Sequence, residues 1–265
     1  MRDKPPPEGP EVRICSDFIN QKSKNKTFTS IFDVQKGNIP FELDTIKNFE
    51  IKSHSNGKEL ILELYNLSDY ISVYVFMGMS GNWKYLPISE CDSIKYTRLR
   101  LNDNTNNSLI LYGGYMGPKY SIGKPFSSTK RGPDPTKQYE EFKKNILNNL
   151  DKKLFDKPIC EALLNQEYFS GVGNYIRSTI LKYADINPFI SARESIQNSD
   201  ILSLCRDIQI TSYELNGGQL KDWKNPFDGN SDKFKEWVFY KKGNKIKDSM
   251  GRTFWYDPKW EKYAN

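Results

Sequence analysis

The sequence predicts an α+β fold of two domains: an N-terminal β-sandwich with a flanking helix, and a C-terminal helical domain that ends in a β-hairpin. Short alternating strands dominate the first half of the chain, and apolar residues at helical spacing dominate the second. The segment between them is rich in Gly, Pro, Ser and Lys and fits neither period. We therefore expect a sandwich domain over 1–118, a linker over 119–136, a helical domain over 137–225 and a hairpin with its tail over 226–265.

One helix and several strands are expected in the first half. Proline-rich sequence precedes a helix over residues 10–22, where apolar side chains are spaced to form one buried face. Strands are predicted where residues alternate in character, over 58–65, 70–76, 94–101 and 108–112. Short strands at this spacing favour a sandwich or a barrel.

The second half is predicted to be helical. Apolar stripes mark helices over 142–150, 176–184 and 201–215. Pro158 is placed to open a further helix, and Ser191 and Glu194 have the spacing of a capping box. Gly217-Gly218 is placed to end the last of these helices.

Charge and composition limit the function classes. The net charge of +6 and the pI near 8.9 favour a polyanionic partner only weakly. The four cysteines lie far apart without a CxxC pair, and His54 is the single histidine. We therefore expect neither a metal site nor a disulfide framework, and no cofactor.

The sequence shows no sign of a membrane or secretory route. No apolar run approaches the length that crosses a bilayer, and the first ten residues lack the apolar core of a signal peptide. We expect a soluble protein of the nucleus or the cytoplasm that is neither secreted nor bound to a membrane.

The turn Ser170-Gly171-Val172-Gly173-Asn174 lies between two predicted helices. Its glycines let the backbone approach a ligand closely, and the N–H groups at the start of the next helix favour an anion such as a phosphate. Asn174 adds a side-chain donor. A tight interhelix turn with Asn174 as the N-cap explains the pentapeptide equally well.

The aromatic-rich tail over 237–256 predicts a hairpin with its turn at 241–245. Arg252 lies close to several lysines on this ribbon, from where it could bind a phosphate with two N–H groups. A solvated surface hairpin is the alternative, which the segment alone favours. Lys58 lies just after a turn and could also hold a phosphate, although most such lysines are simply hydrated.

The segment Pro7-Glu8-Gly9-Pro10-Glu11-Val12 carries a possible covalent chemistry. A proline at a true N-terminus is a secondary amine that can attack a sugar C1′ and form an iminium without a metal. A carboxylate beside it could deliver the proton that opens the sugar ring. The alternative is that the prolines only stiffen the start of a helix.

Taken together and in this order, the segments resemble the formamidopyrimidine-DNA glycosylase and endonuclease VIII family. The opening Pro7-Glu8-Gly9-Pro10-Glu11-Val12 is similar to the family's signature start, Gly57-Lys58 to its lysine turn, and Met77-Gly78-Met79-Ser80-Gly81 to its base-stack loop. Residues 157–166 and 171–177 resemble its helix–two-turn–helix. The final hairpin resembles that of the zincless-finger branch, and no cysteine follows Cys205. The likeness spans Pro7 to about Tyr256, and five motifs in one order are more specific than any single motif.

The resemblance implies a bifunctional DNA glycosylase and abasic-site lyase of base excision repair. Such an enzyme releases oxidised bases through an imine and then eliminates the 3′ phosphate, with or without the 5′ phosphate. By position, Pro7 is the implied nucleophile and Glu8 the general acid, with Glu11 supporting the site. Lys58 and Arg252 are also implied to be part of the catalytic set.

The resemblance also implies how DNA is held. Lys58, Asn174 and Arg252 would grip the phosphates around a nucleotide rotated out of the stack, which offsets part of the cost of unstacking it. Met79 would fill the gap left behind, as apolar wedges do elsewhere. The implied partner is DNA with oxidised bases or abasic sites, bound by a monomer.

Two departures from the family pattern modify these expectations. Six residues precede Pro7, and an internal proline nitrogen is a tertiary amide without a nucleophilic lone pair. We expect this leader to be removed, or to be absent from the natural protein. Where the family has a loop with two further void-filling residues, this chain has Tyr112-Gly113-Gly114-Tyr115-Met116-Gly117, with glycine in place of the arginine. We expect poor discrimination of the opposite base, and relatively better activity on single-stranded or bubble DNA.

Two rival hypotheses stay open at this stage. If Pro7 remains acylated, the protein binds damaged DNA without cutting it. If only the helical segment is related, the protein belongs with a ribosomal protein or a topoisomerase subunit, in which helix–two-turn–helix elements also occur. The second rival leaves the opening motif and Gly251-Arg252-Thr253 unexplained. A loop including Gly217-Gly218-Gln219 is a further candidate, as a cover for the everted base.

Overall fold

The computed structural model describes residues 7–114, 116–125, 130–218 and 223–264, and these form the predicted α+β fold. The first half contains two short helices and eight strands: α1 (Gly9–Ser23), β1 (Phe28–Asp33), α2 (Phe41–Asp44), β2 (Glu50–Asn56), β3 (Glu59–Tyr65), β4 (Tyr70–Phe76), β5 (Asn82–Pro87), β6 (Thr97–Asp103), β7 (Asn107–Tyr112) and β8 (Lys119–Ile122). They form two antiparallel sheets of four strands, in the orders β1-β6-β7-β5 and β2-β3-β4-β8.

The N-terminal core lies between the two sheets and beneath α1. On β3, Leu60, Leu62 and Leu64 are buried, while the residues between them are partly exposed, as alternation in a strand requires. Val12 and Ile19 of α1 are fully buried in the same core, which places this helix against the sandwich rather than in solvent.

The strand register brings several turns to one end of the sandwich. Glu59 at the start of β3 pairs with Phe76 at the end of β4, so the loop that follows β4 begins beside Lys58. Asn82, where that loop ends, pairs with Tyr112 at the end of β7. We call this end, with its turns at 57–58 and 77–81 and the described residues 113–114 and 116–117, the loop end of the sandwich.

The second half is helical, as expected, with a two-stranded hairpin near its end. Its elements are α3 (Tyr139–Leu147), α4 (Ile159–Ala162), α5 (Asn174–Ala184), α6 (Ala192–Asn198), α7 (Ile201–Glu214), α8 (Asp232–Trp237), β9 (Asn244–Lys247) and β10 (Thr253–Tyr256). Ser191 caps α6 by accepting the N–H of Glu194 at 3.1 Å, which is half of the predicted capping box. Phe142, Ile180 and Phe254 are fully buried in one C-terminal core, so the hairpin is part of that core.

The strand prediction was incomplete. The structure contains β1, β2 and β5, which the sequence does not mark by apolar alternation. On β2 the inward residues are Ile51, Ser53 and Ser55, and the two serines are small polar side chains buried beneath α1. The Asn20 side chain exchanges two hydrogen bonds with the Ser53 backbone, at 2.7 and 2.9 Å, which replaces the apolar contacts that the pattern search requires.

Two boundaries also differ from the prediction. The strand β8 lies inside the predicted linker 119–136, where the Gly- and Ser-rich sequence gives no alternation, and it pairs as an edge strand with β4. The hairpin turn lies at 248–252 rather than at 241–245, because β9 begins only at Asn244. Residues 232–237 form the unpredicted helix α8. The division of the chain into domains remains a prediction.

Within the described residues, no helix is long and apolar enough to cross a membrane. The same residues contain no group of three or more His, Cys, Asp or Glu side chains arranged to hold a metal ion. All four cysteines are free and buried.

We expect Phe254→Ala to lower the free energy of unfolding by about 3–5 kcal/mol, because the ring is fully buried and its removal leaves a cavity. Chemical denaturation followed by tryptophan fluorescence measures the change. Tyr263→Ala, at a ring that is 44% exposed, is the matched control, with an expected change within about 0.5 kcal/mol. Equal effects of the two substitutions would show that the hairpin is not part of the core.

Candidate active site

The start of α1 docks onto the turn that precedes α5. The N–H of Gly9 donates to the carbonyl of Gly171 at 2.9 Å, and both Pro7 and Glu8 are buried. A Cβ atom at Gly173 would overlap the Glu8 carboxyl group, so glycine is required for this approach. The two motifs, far apart in sequence, therefore form one site.

The Glu8 carboxyl group lies at the N-terminus of α5. It accepts the N–H groups of Tyr175 at 3.0 Å and Ile176 at 3.2 Å. Complete burial raises the pKa of Glu8 to about 7, although the charge of Lys58 and the two N–H donors act in the opposite direction. The carboxyl group can therefore hold a proton near neutral pH, as a general acid must.

A second buried carboxyl group supports the first. Glu11 accepts the N–H of Glu8 at 2.7 Å, the hydroxyl of Tyr175 at 2.6 Å and the N–H of Gly218 at 2.6 Å. Burial raises the pKa of Glu11 above its ordinary value. These bonds connect the start of α1 to the segment after α7. The rest of the proposed cover loop, from Gln219, lies outside the described residues.

Lys58 enters the site through a tight turn between β2 and β3. Gly57 has a φ of +53°, and a Cβ atom there would overlap the Ser170 side chain. The N–H of Gly57 donates to the Asp134 carboxylate at 3.0 Å, which fixes the turn. Burial lowers the pKa of Lys58, while the nearby charge of Glu8 raises it, so the two groups are close enough to influence each other's ionisation.

Asn174 is not the N-cap that the sequence also allowed. Gly173 occupies that position, and Asn174 is the first residue of α5. Its side-chain N–H donates to the Thr253 carbonyl at 2.6 Å, whereas its Oδ1 atom is buried and has no hydrogen-bond partner among the described residues. Asn174 therefore joins α5 to the hairpin directly beside Arg252.

Arg252 is held by a carboxylate within its own turn. Its Nε donates to Asp248 at 2.8 Å and its backbone N–H to the same carboxylate at 2.9 Å, while 39% of the side chain remains exposed. Asp248 also accepts from the fully buried Arg177 at 2.9 Å. Burial opposes ionisation of Asp248, but the bonds from the two arginines hold its pKa below the ordinary value.

The structure adds one cation that sequence reasoning did not select. Arg131 lies 3.6 Å from the carboxylate of Glu59, and its charge helps to lower the pKa of Lys58, after burial itself. With Lys130, Lys157 and Arg252 it lines an open groove of about 370 Å³. Arg131 lies in the predicted linker, which follows neither a helical nor a strand period. Periodicity therefore did not select it, although the basic residues around it are visible in the sequence.

Met79 lies at the loop end of the sandwich. Its N–H donates to the Met116 carbonyl at 2.9 Å, and Met116 is 62% exposed. A Cβ atom at Gly78 would overlap the carbonyls of Met116 and Gly117, so the two loops are in close contact. Tyr115 lies outside the described residues. The predicted site residues are thus distributed around one region, and their individual roles remain predictions.

The arrangement places a carboxyl group that can hold a proton close to the cationic side chain of Lys58, so it can transfer a proton and attract an anion.

Curated relatives are similar to this chain over most of its length. Human Endonuclease 8-like 1 is 28% identical over 294 residues, covering 94% of this chain and 72% of the human protein. The mouse protein of that name is 29% identical over 289 residues, with the same coverage. Endonuclease 8 of Salmonella arizonae is 23% identical over 221 residues, covering 80% of this chain and 81% of that protein.

These relatives and the solved structures support the resemblance to the formamidopyrimidine-DNA glycosylase and endonuclease VIII family. Solved structures of the family share the fold of this chain. The MutM (Fpg) protein of Thermus thermophilus superposes with a TM-score of 0.77 at 18% identity, covering 96% of this chain and 98% of that one. A Lactococcus lactis Fpg mutant bound to DNA containing Fapy-dG superposes with a TM-score of 0.77 at 20% identity, covering 96% and 99%. No protein-family model matches the chain.

We expect Glu8→Gln to stabilise the fold increasingly as the pH rises. Because the pKa of Glu8 is raised from 4.5 to about 7, the carboxyl group stabilises the folded chain fully below the lower value. That stabilisation is lost as the pH rises through the folded value. The glutamine cannot ionise, so the unfolding midpoint of the variant should rise relative to the wild type between about pH 5 and 8.

Thermal unfolding at several pH values measures this difference, which should reach a few kcal/mol at most. Glu140→Gln, at an exposed position of α3, is the matched control and should follow the wild-type curve. A constant difference between Glu8→Gln and the wild type across this pH range would show that the Glu8 carboxyl group has no raised pKa.

Proposed function

We propose that this protein is a bifunctional DNA glycosylase and abasic-site lyase of base excision repair that acts through the nitrogen of Pro7. One observation carries the proposal: the start of α1, the Lys58 turn and the start of α5 meet, with a buried carboxyl group between them. The names of the relatives, Endonuclease 8 and Endonuclease 8-like 1, support the same class of activity.

The proposed reaction begins with attack of the free Pro7 nitrogen on C1′ of a damaged nucleotide. The N-glycosyl bond breaks, and the base leaves with its electron pair and takes up the proton that the Pro7 nitrogen loses on forming its bond to C1′. Protonated Glu8 gives its proton to O4′, which opens the sugar and leaves an iminium between Pro7 and C1′. Loss of a C2′ proton then expels the 3′ phosphate, a further elimination can expel the 5′ phosphate, and water releases Pro7.

The mechanism requires a polypeptide whose first residue is Pro7. Six residues precede it in this chain, and an amide nitrogen cannot attack C1′. Removal of the leader would free the amine. A chain that keeps the leader is expected to bind damaged DNA without cutting it, and this damage-binding protein is the second candidate function.

A clamp on the DNA backbone is proposed from three groups. Lys58 supplies an ammonium group, Asn174 a side-chain donor and Arg252 a partly exposed guanidinium group aimed by Asp248. Phosphate contacts of this kind offset the cost of rotating a nucleotide out of the duplex, which is about a few kcal/mol. The Lactococcus lactis Fpg structures contain Fapy-dG DNA and abasic-site DNA, and we propose oxidised-base or abasic DNA as the partner here.

We assign the hairpin to the zincless-finger type as part of this proposal. Its shape is supported by protein contacts: Phe254 is buried in the helical core, and the Arg177 guanidinium group lies 4.9 Å from the centre of that ring. Asp248 then links Arg177 to Arg252. A buried ion pair and a buried ring can hold the turn in place of metal ligands.

We expect borohydride to trap a covalent complex between damaged DNA and a chain that begins at Pro7, in the presence of a chelator. The same chain with the leader 1–6 retained is the matched control, because only acylation of the Pro7 nitrogen differs. It should bind the DNA and give no trapped complex. Equal trapping by both chains would identify a different amine as the nucleophile.

We expect strand cleavage on single-stranded or bubble DNA to be at least as fast as on paired duplex, with little dependence on the opposite base. Met79 and Met116 are the side chains available to fill the duplex gap, since the loop beside them carries glycines. Met79→Ala should reduce duplex cleavage more than single-strand cleavage. Leu67→Ala, a fully exposed residue on the β3–β4 turn, is the control. Faster cleavage of paired duplex would contradict this expectation.

A further inference from the structure

An exposed aromatic residue lies at the loop end of the sandwich. Tyr96 immediately precedes β6, and Thr97 pairs with Tyr112 at the end of β7, so Tyr96 lies next to Gly113. The Tyr96 carbonyl accepts the Gly113 N–H at 3.1 Å. Tyr96 is 67% exposed, while Thr97, which follows it, is buried.

The ring of Tyr96 lies beside Gly114. A Cβ atom on Gly114 would lie 3.4 Å from Cδ2 and 3.5 Å from Cε2 of the ring, which is ordinary van der Waals contact. The exposed ring therefore borders the position where the family resemblance leads one to expect arginine.

The backbone of Tyr96 supports a positional role for this ring. Its φ of +62° lies in the left-handed region, which few bulky residues occupy. Such conformations persist where the surroundings enforce them, and they cluster at ligand sites. This conformation lies immediately before the first residue of β6, and the side chain is exposed to solvent.

We propose that Tyr96 is a stacking surface for an unpaired nucleobase next to the damaged nucleotide, and that it replaces the missing side chain of the 113–117 loop. The inference rests on the proposed function. The base can be the orphaned partner in a duplex or a neighbouring base in a single strand, since both present the same aromatic face. Every base has such a face, so this contact tolerates any sequence.

The apolar groups of the neighbourhood can pack against a base. The exposed Met116 and the Met79 loop present apolar groups on the same end, and an aromatic ring adds area without charge. Arginine in this loop would donate hydrogen bonds to particular base edges, whereas a tyrosine ring would not choose between them. Weak discrimination of the opposite base follows directly.

Fluorescence of 2-aminopurine tests the proposal. The probe is placed opposite a tetrahydrofuran abasic analogue in duplex DNA, and next to the analogue in a single strand. The full chain should quench the probe by stacking in both substrates. Tyr96→Leu should no longer quench the probe and should bind the DNA about tenfold more weakly, because one aromatic stack is lost. Tyr96→Phe should keep both, because it retains the ring.

Two controls make the outcomes decisive. Tyr70→Leu, at a 61% exposed tyrosine on the opposite end of the same sandwich, should change neither quenching nor binding. Lys58→Met should weaken binding of both DNAs if the proposed function is correct. Thermal unfolding confirms that each variant is folded.

The results separate the two proposals. Loss of binding by Lys58→Met with wild-type quenching by Tyr96→Leu would overturn the stacking role alone. If Tyr96→Phe loses as much quenching and binding as Tyr96→Leu, the contact is made by the hydroxyl group, through a hydrogen bond to the DNA backbone. The ring would then not be a stacking surface. No effect of Lys58→Met would overturn the proposed function itself.

Discussion

The site depends on burial of the Glu8 carboxyl group against the N-terminus of α5. Two backbone N–H groups, from Tyr175 and Ile176, satisfy its oxygens, which makes burial of this polar group tolerable. The same contact joins the sandwich half to the helical half. Gly173 is required because any side chain there would overlap the carboxyl group. The position of Pro7, and therefore the proposed chemistry, follows from this docking.

Burial and charge act against each other throughout the site. Burial raises the pKa of Glu8 and lowers that of Lys58, so that both groups are shifted toward their neutral forms. Their mutual attraction limits the shift. A bound phosphate would add negative charge beside Lys58 and favour its ionised form, which couples DNA binding to the protonation of the site. Binding of DNA would therefore change the ionisation of Lys58 and Glu8.

The hairpin is held by a chain of contacts that begins in the core. Arg177 is fully buried and binds Asp248, and Asp248 in turn fixes the backbone and the side chain of Arg252. Asn174 connects the same hairpin to the start of α5 through the Thr253 carbonyl. Asn174 and Arg252 of the proposed phosphate clamp are therefore tied to the helix that carries the hydrogen-bond donors of Glu8, whereas Lys58 lies on the sandwich. At the loop end, by contrast, packing leaves Tyr96 and Met116 exposed.

The sequence by itself determined the fold class, the helix α1, the strands β3 and β4, and the motifs around Pro7, Lys58, Asn174 and Arg252, because these depend on local periodicity and on short segments in a set order. Only the tertiary structure decided which residues meet. Three features depend on strand register or on chain segments that are distant in sequence. They are the burial of Ser53 and Ser55 on β2, the contact of Arg131 with Glu59 and the contact of Tyr96 with Gly114. Periodicity carries no information on such contacts, since they arise from how buried surfaces dock.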